Sequence, residues 1–269
     1  MQKQRLAVVG GGQMGRALVC GMLDKQVIHD ADVVIVDHNV ASRQWWSENR
    51  PQVAVCPDLS EAVKDANTVM LAVKPKVIGK VAQQAEPFWD GKLVISVAAG
   101  VMLKSLCGWI GHQRVVRVMP NTPCLVGQGV SAFCGADEVS EQDSAWITTL
   151  FSSVGLAIPV LESQMDGVTG LSGSGPAYVC LIVEALADGG VLAGLPRPLA
   201  MKLAAQTVLG TAQMIAETGR HPGELKDSVT SPAGTTIAAV QVLEQNGIRG
   251  ALIDAVVASA RRSRELAAD

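Results

Sequence analysis

Short apolar runs, many of them β-branched, recur through the first part of the chain, at residues 6–9, 32–36, 68–73, 93–97, 115–119, 129–134 and 156–160. Most are continuous rather than alternating, which is the pattern of strands covered on both faces. Stretches with helical spacing separate the early runs, at 15–25, 41–49, 60–65 and 76–84. This alternation predicts a parallel, doubly wound sheet with right-handed crossovers. Residues 137–154 predict a further helix, capped near Ser140 with Asp143 in its first turn.

Beyond residue 161 the β-branched runs stop, and long helical patterns replace them at 166–193, 197–218, 234–245 and 248–266. Gly194, Gly219 and Gly247 are suited to end helices, and Pro196, Pro198 and Pro222 punctuate the connections. The expected division is an α/β domain over residues 1–161 and an all-α domain over 162–269. Val179, Leu181, Ile182, Val183, Ala185 and Leu186 cover nearly the whole circumference of one helix. Such a helix must be buried, and a domain of this size has limited interior. The pattern therefore predicts an obligate oligomer with its interface in this half; an ordinary compact bundle is the alternative.

Composition narrows the classes. With 48% hydrophobic and 17% charged residues, the 269-residue chain can fill a large core and does not fit disorder. A net charge of −3 and 3% aromatic residues supply neither the basic footprint nor the stacking platforms of a nucleic-acid binder. Cys20, Cys56, Cys107, Cys124, Cys134 and Cys180 form no CxxC pair and have no His at metal-finger spacing. Reduced, mostly buried thiols are expected, and no metal. Residues 1–5 lead into only a short apolar run, and no run reads as long enough to span a bilayer. The expectation is a cytoplasmic protein without a membrane partner.

Candidate chemistry begins at the first strand. The run at 6–9 passes directly into Gly10-Gly11-Gly12-Gln13-Met14-Gly15, a G-x-G-x-x-G between a strand and a helix. The first glycine permits a tight turn, the second lets a pyrophosphate approach, and the third lets helix and strand pack closely. The helix start offers free N–H groups and a positive dipole end. Asp37 closes the next strand, where it either accepts from a ribose 2′-OH, favouring NAD, or serves as a turn residue. His38 and Arg43 stand where they can hold a 2′-phosphate, so the choice of NAD or NADP stays open. Three more strand ends face the same crevice: Ala72-Val73-Lys74-Pro75, Val97-Ala98-Ala99 and the stretch around Asn121. Small Ala98 and Ala99 would let a nicotinamide lie close, and Asn121 is placed to bond a carboxamide or ribose.

Two stretches of the helical half stand out. Leu171-Ser172-Gly173-Ser174-Gly175-Pro176-Ala177-Tyr178 is costly within a helix, so it marks either close helix packing or close approach of a ligand. In Ser231-Pro232-Ala233-Gly234-Thr235-Thr236, Ser231 reads as N-cap and Pro232 as the first helical residue. The amides of Gly234, Thr235 and Thr236 would then form a site for a small carboxylate, unless the motif merely caps the helix. No His or Lys stands in a relay position for oxidising a hydroxy acid; His29, His38, His112 and His221 all lie in loop-like stretches. Hydride transfer to a protonated C=N bond needs no strong base, only orientation and one hydrogen-bonding group at nitrogen.

At these residues the chain resembles the pyrroline-5-carboxylate reductases along essentially its whole length. The motifs are the turn at 10–15, AVKP at 72–75, SVAAG at 96–100, MPNTP at 119–123, LSGSGPAY at 171–178 and SPAGTT within 225–244. The resemblance implies NAD(P)H-dependent reduction of (S)-1-pyrroline-5-carboxylate to L-proline, with the nicotinamide against residues 72–75 and 97–99. It implies that Thr236, helped by Ser231, bonds the imine nitrogen, and that Glu162 lies near the substrate amine. It also implies homodimers built from interlocked helical domains, stacked into decamers, with each site shared between chains. Three positions depart from the family pattern. His38 stands where an Arg is common, Leu59 replaces an Asn near the adenosine, and Ala233 replaces a glycine, the last expected to be neutral. A β-hydroxyacid dehydrogenase would need a Lys within residues 178–187, which have none. A non-catalytic NAD(P) sensor would have no need of an anion-holding helix start.

Overall fold

The computed structural model describes residues 5–268. Eight strands form one sheet: β1 (Leu6–Val9), β2 (Val33–Val36), β3 (Ala54–Cys56), β4 (Thr68–Leu71), β5 (Leu93–Ser96), β6 (Val115–Met119), β7 (Gly129–Gly135) and β8 (Gly155–Pro159). Their order is β3-β2-β1-β4-β5-β6-β7-β8, parallel throughout except for the β6–β7 pair. The first six positions are the dinucleotide-binding order, with a crevice where the order reverses between β1 and β4.

The helices of this part are α1 (Gln13–Asp24), α2 (Val40–Asn49), α3 (Leu59–Lys64), α4 (Pro75–Gln84), α5 (Leu103–Ile110) and α6 (Glu141–Ser152). Continuous apolar strands fit because both faces are covered. Leu6 and Val8 of β1 join one buried cluster with residues of α1, α2 and α6, while Ala7 and Val9 join another with α3, α4 and α5. At the start of α6, Ser140 and Asp143 cap each other reciprocally, as the sequence predicts. Asp143 also takes a two-pronged bond from Arg114, at 2.7 and 3.1 Å.

The rest is helical: α7 (Met165–Val168), α8 (Gly175–Leu192), α9 (Arg197–Thr218), α10 (Pro222–Ser228), α11 (Thr235–Gln245) and α12 (Ile248–Ala268). Between α7 and α8 lies a π-helical turn, Thr169–Gly173. The helix expected over 166–193 thus carries a π turn, with the Ser174 N–H reaching back five residues to Thr169 O. By contacts the chain separates into two units: one runs up to Ser174 and resumes at Ala258, the other is Gly175–Val257. The last strand ends at Pro159, next to the boundary expected at 161, and the contact division falls more than three helical turns later, after Ser174.

Within the second unit, α8 and α9 pack through a small cluster of Ala187, Ala200 and Ala204. Leu181, Leu192, Leu203, Leu209, Ile253 and Val257 stay exposed. One sequence expectation is overturned here. The helical run Glu162–Leu192, 31 residues, is long and apolar enough to cross a membrane by length and composition. The Gly and Ser residues at 170–175 divide the apolar residues along the sequence, and the π turn carries the helical backbone across them.

A second correction concerns α11. Its N-cap is Gly234, not Ser231, and its first residue is Thr235, not Pro232. Ala233 has φ of 56°, in the left-handed region, so no helix can pass through it. That also corrects the expectation that Ala233 is neutral: it occupies a conformation that costs any residue with a Cβ.

Candidate active site

The strand order brings the predicted cofactor residues together at the carboxyl edge of one sheet. Gly10 follows β1 with φ of 106°, and a Cβ there would come within 2.5 Å of Ala72 O, beyond the end of β4. Gly15, in the first turn of α1, lies so close to Gly10 O that a side chain would collide with that carbonyl. Gly12 is the opposite: a Cβ on it would meet nothing within 4 Å. It is also the N-cap of α1, without a side-chain cap, so the amides of the first turn face open space. The cradle therefore fits a pyrophosphate: glycines where backbone crowds, an open glycine and unpaired N–H groups where the anion would lie.

The loop is braced from behind. Gly11 N donates to Asp37 Oδ2 at 2.9 Å, and Asn39 N donates to Asp37 Oδ1 at 2.9 Å. Gly11 O accepts from Trp46 Nε1 at 3.0 Å and from Arg16 Nε at 3.1 Å, while the Arg16 guanidinium stacks 4.2 Å over Trp45. Sequence reasoning missed Trp46 and Arg16, since nothing in a helical pattern shows which side chain will reach a glycine carbonyl. Asp37 is thus a loop brace, its side chain 11% exposed, with both oxygens engaged by amides. His38 is fully exposed, and Arg43 Nη1 donates to the carbonyls of Asp37 and His38 at 2.8 and 2.9 Å.

At the next strand ends, Lys74 is exposed and Pro75 is the first residue of α4. Val97 and Ala98 are buried and Ala99 is exposed, with Val97 N bonded to Leu71 O at 3.1 Å. Asn121 is buried and spent on protein: its Nδ2 donates to Ser172 O at 3.1 Å and its Oδ1 accepts from Val130 N at 2.8 Å. It thereby tethers the π turn. Within 171–178 a Cβ on Gly173 would come within 2.5 Å of Met119 Cε, whereas one on Gly175 would meet nothing within 4 Å.

Glu162 begins a short 3-10 turn after β8, and its Oε1 accepts from Leu103 N at 2.6 Å and from Arg117 Nη1 at 3.4 Å. Among the cysteines, Cys107, Cys124 and Cys134 are buried, Cys20 and Cys56 partly so, and Cys180 is exposed; all six are free thiols. Burial pushes the Cys134 thiol up to about 11, aided by the nearby Glu162 charge, so it is no nucleophile. His112 and His221 serve backbone groups, bonding Trp89 O and Gly223 N respectively.

The second unit contains the residues expected at the substrate. Gly234 N is spent on Ser231 O at 3.0 Å, so the free amides at the start of α11 are those of Thr235, Thr236 and Ile237. Ile237 was not foreseen, because the helix starts three residues later than the serine–proline pair suggests. A Cβ on Gly234 would fall 2.3 Å from Ser231 Oγ. Neither the Ser231 nor the Thr236 hydroxyl has a partner among the described residues, leaving both free to meet a ligand. No group of three or more His, Cys, Asp or Glu able to hold a metal occurs among the described residues.

Comparison with known proteins gives this arrangement a family context. The family "Pyrroline-5-carboxylate reductase dimerisation" matches residues 162–266, and "NADP oxidoreductase coenzyme F420-dependent" matches residues 5–100. The chain is similar to pyrroline-5-carboxylate reductase of Glycine max, 46% identical over 262 residues covering 97% of this chain and 95% of that one. Among solved structures it is similar to Plasmodium falciparum pyrroline carboxylate reductase with NADP bound, 31% identical, TM-score 0.89, covering 99% of both chains. It is also similar to a pyrroline-5-carboxylate reductase from Coxiella burnetii, 34% identical, TM-score 0.91, covering 98% of this chain and 99% of that one.

Proposed function

The chain belongs to the pyrroline-5-carboxylate reductase family, oxidoreductases of proline biosynthesis, and on that premise we propose how its residues carry out the reduction of (S)-1-pyrroline-5-carboxylate to L-proline. A bound reduced nicotinamide supplies the hydride. The amides at the start of α1 would hold its pyrophosphate, and the strand ends at residues 72–75 and 97–99 would lie against its nicotinamide. The amides of Thr235, Thr236 and Ile237 hold the substrate carboxylate at the positive end of α11. The Thr236 hydroxyl accepts from the protonated imine nitrogen, with Ser231 beside it, and keeps the C=N bond oriented as the adjacent carbon takes the hydride. The C=N π pair falls to nitrogen, which keeps its one proton, so the immediate product is the neutral secondary amine; it then takes a proton from water, and no strong base is needed.

The observation that supports this most is the open start of α11. Three amides and two hydroxyls converge there without partners, on a family whose substrate is a small carboxylate. The exposed apolar faces of α8, α9 and α12 support assembly as a homodimer through residues 162–266, with the substrate site completed on assembly and dimers stacking into a higher oligomer such as a decamer. A partner chain rather than a bilayer covers the run Glu162–Leu192. Six free thiols suit the reducing cytoplasm.

For the cofactor we propose NADPH over NADH. Arg43 offers a guanidinium at the rim of the ribose position with nitrogens to spare for a 2′-phosphate. Initial rates with NADPH and NADH side by side test both proposals. Turnover of pyrroline-5-carboxylate is expected with each, faster at low NADPH. Arg43→Ala should raise the KM for NADPH about tenfold or more while leaving that for NADH within about twofold, the loss of one charged hydrogen bond. Equal change for both cofactors refutes the phosphate assignment; absence of turnover refutes the reaction.

A further inference from the structure

We infer that Glu162 is a positioning residue for the nicotinamide-facing loop, acting through the Leu103 amide and the Arg117 guanidinium rather than by contact with substrate. This rests on the cofactor placement above. The loop runs from Val97 to Met102, between β5 and α5. Its near end is fixed by Val97 N on Leu71 O at 3.1 Å and by Ala98 N on Ser96 Oγ at 3.4 Å. Its far end has no such anchor of its own, because the N-cap of α5, Met102, has no side-chain acceptor for the helix amides. Glu162 supplies it from another part of the chain, with Oε1 2.6 Å from Leu103 N, the first residue of α5. A carboxylate at a helix start satisfies an orphan donor and complements the dipole.

Arg117 holds that carboxylate in place. It lies on β6, paired with Ser96 of β5 on one side and Cys134 of β7 on the other, so it rises beside the residue from which the loop departs. Its side chain is 5% exposed, and Glu162 is its ion-pair partner at 3.4 Å. A guanidinium this buried is strongly destabilising if left alone, so the carboxylate is drawn to the shared point between strand and helix. The single oxygen Oε1 thereby ties β6, α5 and the segment after β8 together at the end of the loop that carries Val97, Ala98 and Ala99. Releasing it lets the loop shift, and a displacement of about 1 Å at a reacting centre costs up to about a hundredfold in rate.

Two double variants separate this from substrate contact. Glu162→Gln/Arg117→Met removes both charges but keeps an acceptor for Leu103 N. Glu162→Ala/Arg117→Met removes the charges and the acceptor. NADPH dissociation constants from fluorescence titration, kcat and the KM for pyrroline-5-carboxylate are read for each. The Ala-containing protein should bind NADPH about tenfold more weakly and lose about 10- to 100-fold in kcat, with substrate KM within about twofold. The Gln-containing protein should lose no more than about threefold in any constant, because the anchor is retained. If both variants raise the substrate KM alike with NADPH affinity intact, Glu162 touches substrate and the inference is wrong. It is equally wrong if both leave NADPH affinity and kcat alike. Should the Ala-containing protein not fold, the Gln-containing protein decides alone: near-wild-type constants support the anchor, a raised substrate KM overturns it. Wild-type protein without turnover would instead bring down the reaction itself.

Discussion

Replacing Thr236 by Ala separates chemistry from folding more cleanly than other single changes in this chain. Thr236 is the second residue of α11, half-buried, and its hydroxyl serves no cap, since Gly234 caps the helix with backbone alone. Removing the hydroxyl therefore breaks no bond within the chain. Ala is the better helix former by up to about 0.5 kcal/mol, so stability should hold or rise slightly. In the proposed reaction the same hydroxyl would face a cationic nitrogen, and a hydrogen bond to a charged group contributes about 1.5–3 kcal/mol. That predicts a fall in kcat of about 10- to 150-fold. The pyrophosphate cradle at residues 10–15 belongs to the other structural unit, so NADPH affinity should stay within about twofold. Thr236→Ser keeps the hydroxyl and should recover most of the rate. The assay is initial rate at saturating NADPH and pyrroline-5-carboxylate, with thermal unfolding and NADPH titration in parallel. A loss of kcat below about threefold, or a parallel loss of NADPH affinity, would refute the role assigned to this hydroxyl.

Gly12→Ala should fold with unchanged Tm, because its Cβ meets nothing within 4 Å, yet lose NADPH affinity by about tenfold or more; Gly10→Ala should lose stability as well, its Cβ falling 2.5 Å from Ala72 O at φ of 106°. Unfolding scans and titrations on the pair check the contrast, and identical behaviour would contradict it. Ala233→Gly relieves a residue held at φ of 56° and should stabilise by about 1 kcal/mol, or about 2–4 °C in Tm. Burial raises the Asp143 carboxyl, but hydrogen bonds from Arg114 and Ser140 outweigh it and hold the group below the usual carboxylate range. A depressed carboxyl stabilises above its unfolded value, and that stability is lost as pH falls through the folded value. Asp143→Asn should therefore cost about 1–3 kcal/mol at neutral pH in denaturant unfolding, with the deficit shrinking in strong acid.

Much of the fold was legible because burial on both faces writes itself as continuous apolar runs. Seven of the eight strands fall on such runs. The eighth, β3 (Ala54–Cys56), is a three-residue edge strand with no exclusively buried face, too short to leave a pattern. The helix α5 was readable but missed: Leu103, Leu106, Cys107 and Ile110 are spaced as one buried helical face, and Gly108 obscured it. The π turn was not readable, since it depends on Asn121 reaching Ser172 O across 51 positions. For the same reason the backbone bonds of Asn121 and Asp37 within the chain were not legible in the sequence. The glycines and small residues of the cradle were legible because backbone crowding admits few alternatives. The start of α11 was misplaced by three residues, because serine–proline commonly opens a helix and the left-handed Ala233 that prevents it here has no local signature.

The central claim is that main-chain amides at the beginning of α11, rather than a side-chain cation, hold the substrate carboxylate. A crystal structure of the assembled protein with NADP and L-proline measures this directly. The account predicts proline carboxylate oxygens within hydrogen-bonding distance of the Thr235, Thr236 and Ile237 amides, with the ring nitrogen on the Thr236 hydroxyl. Proline bound through an Arg or Lys elsewhere, with those amides facing solvent, would contradict it.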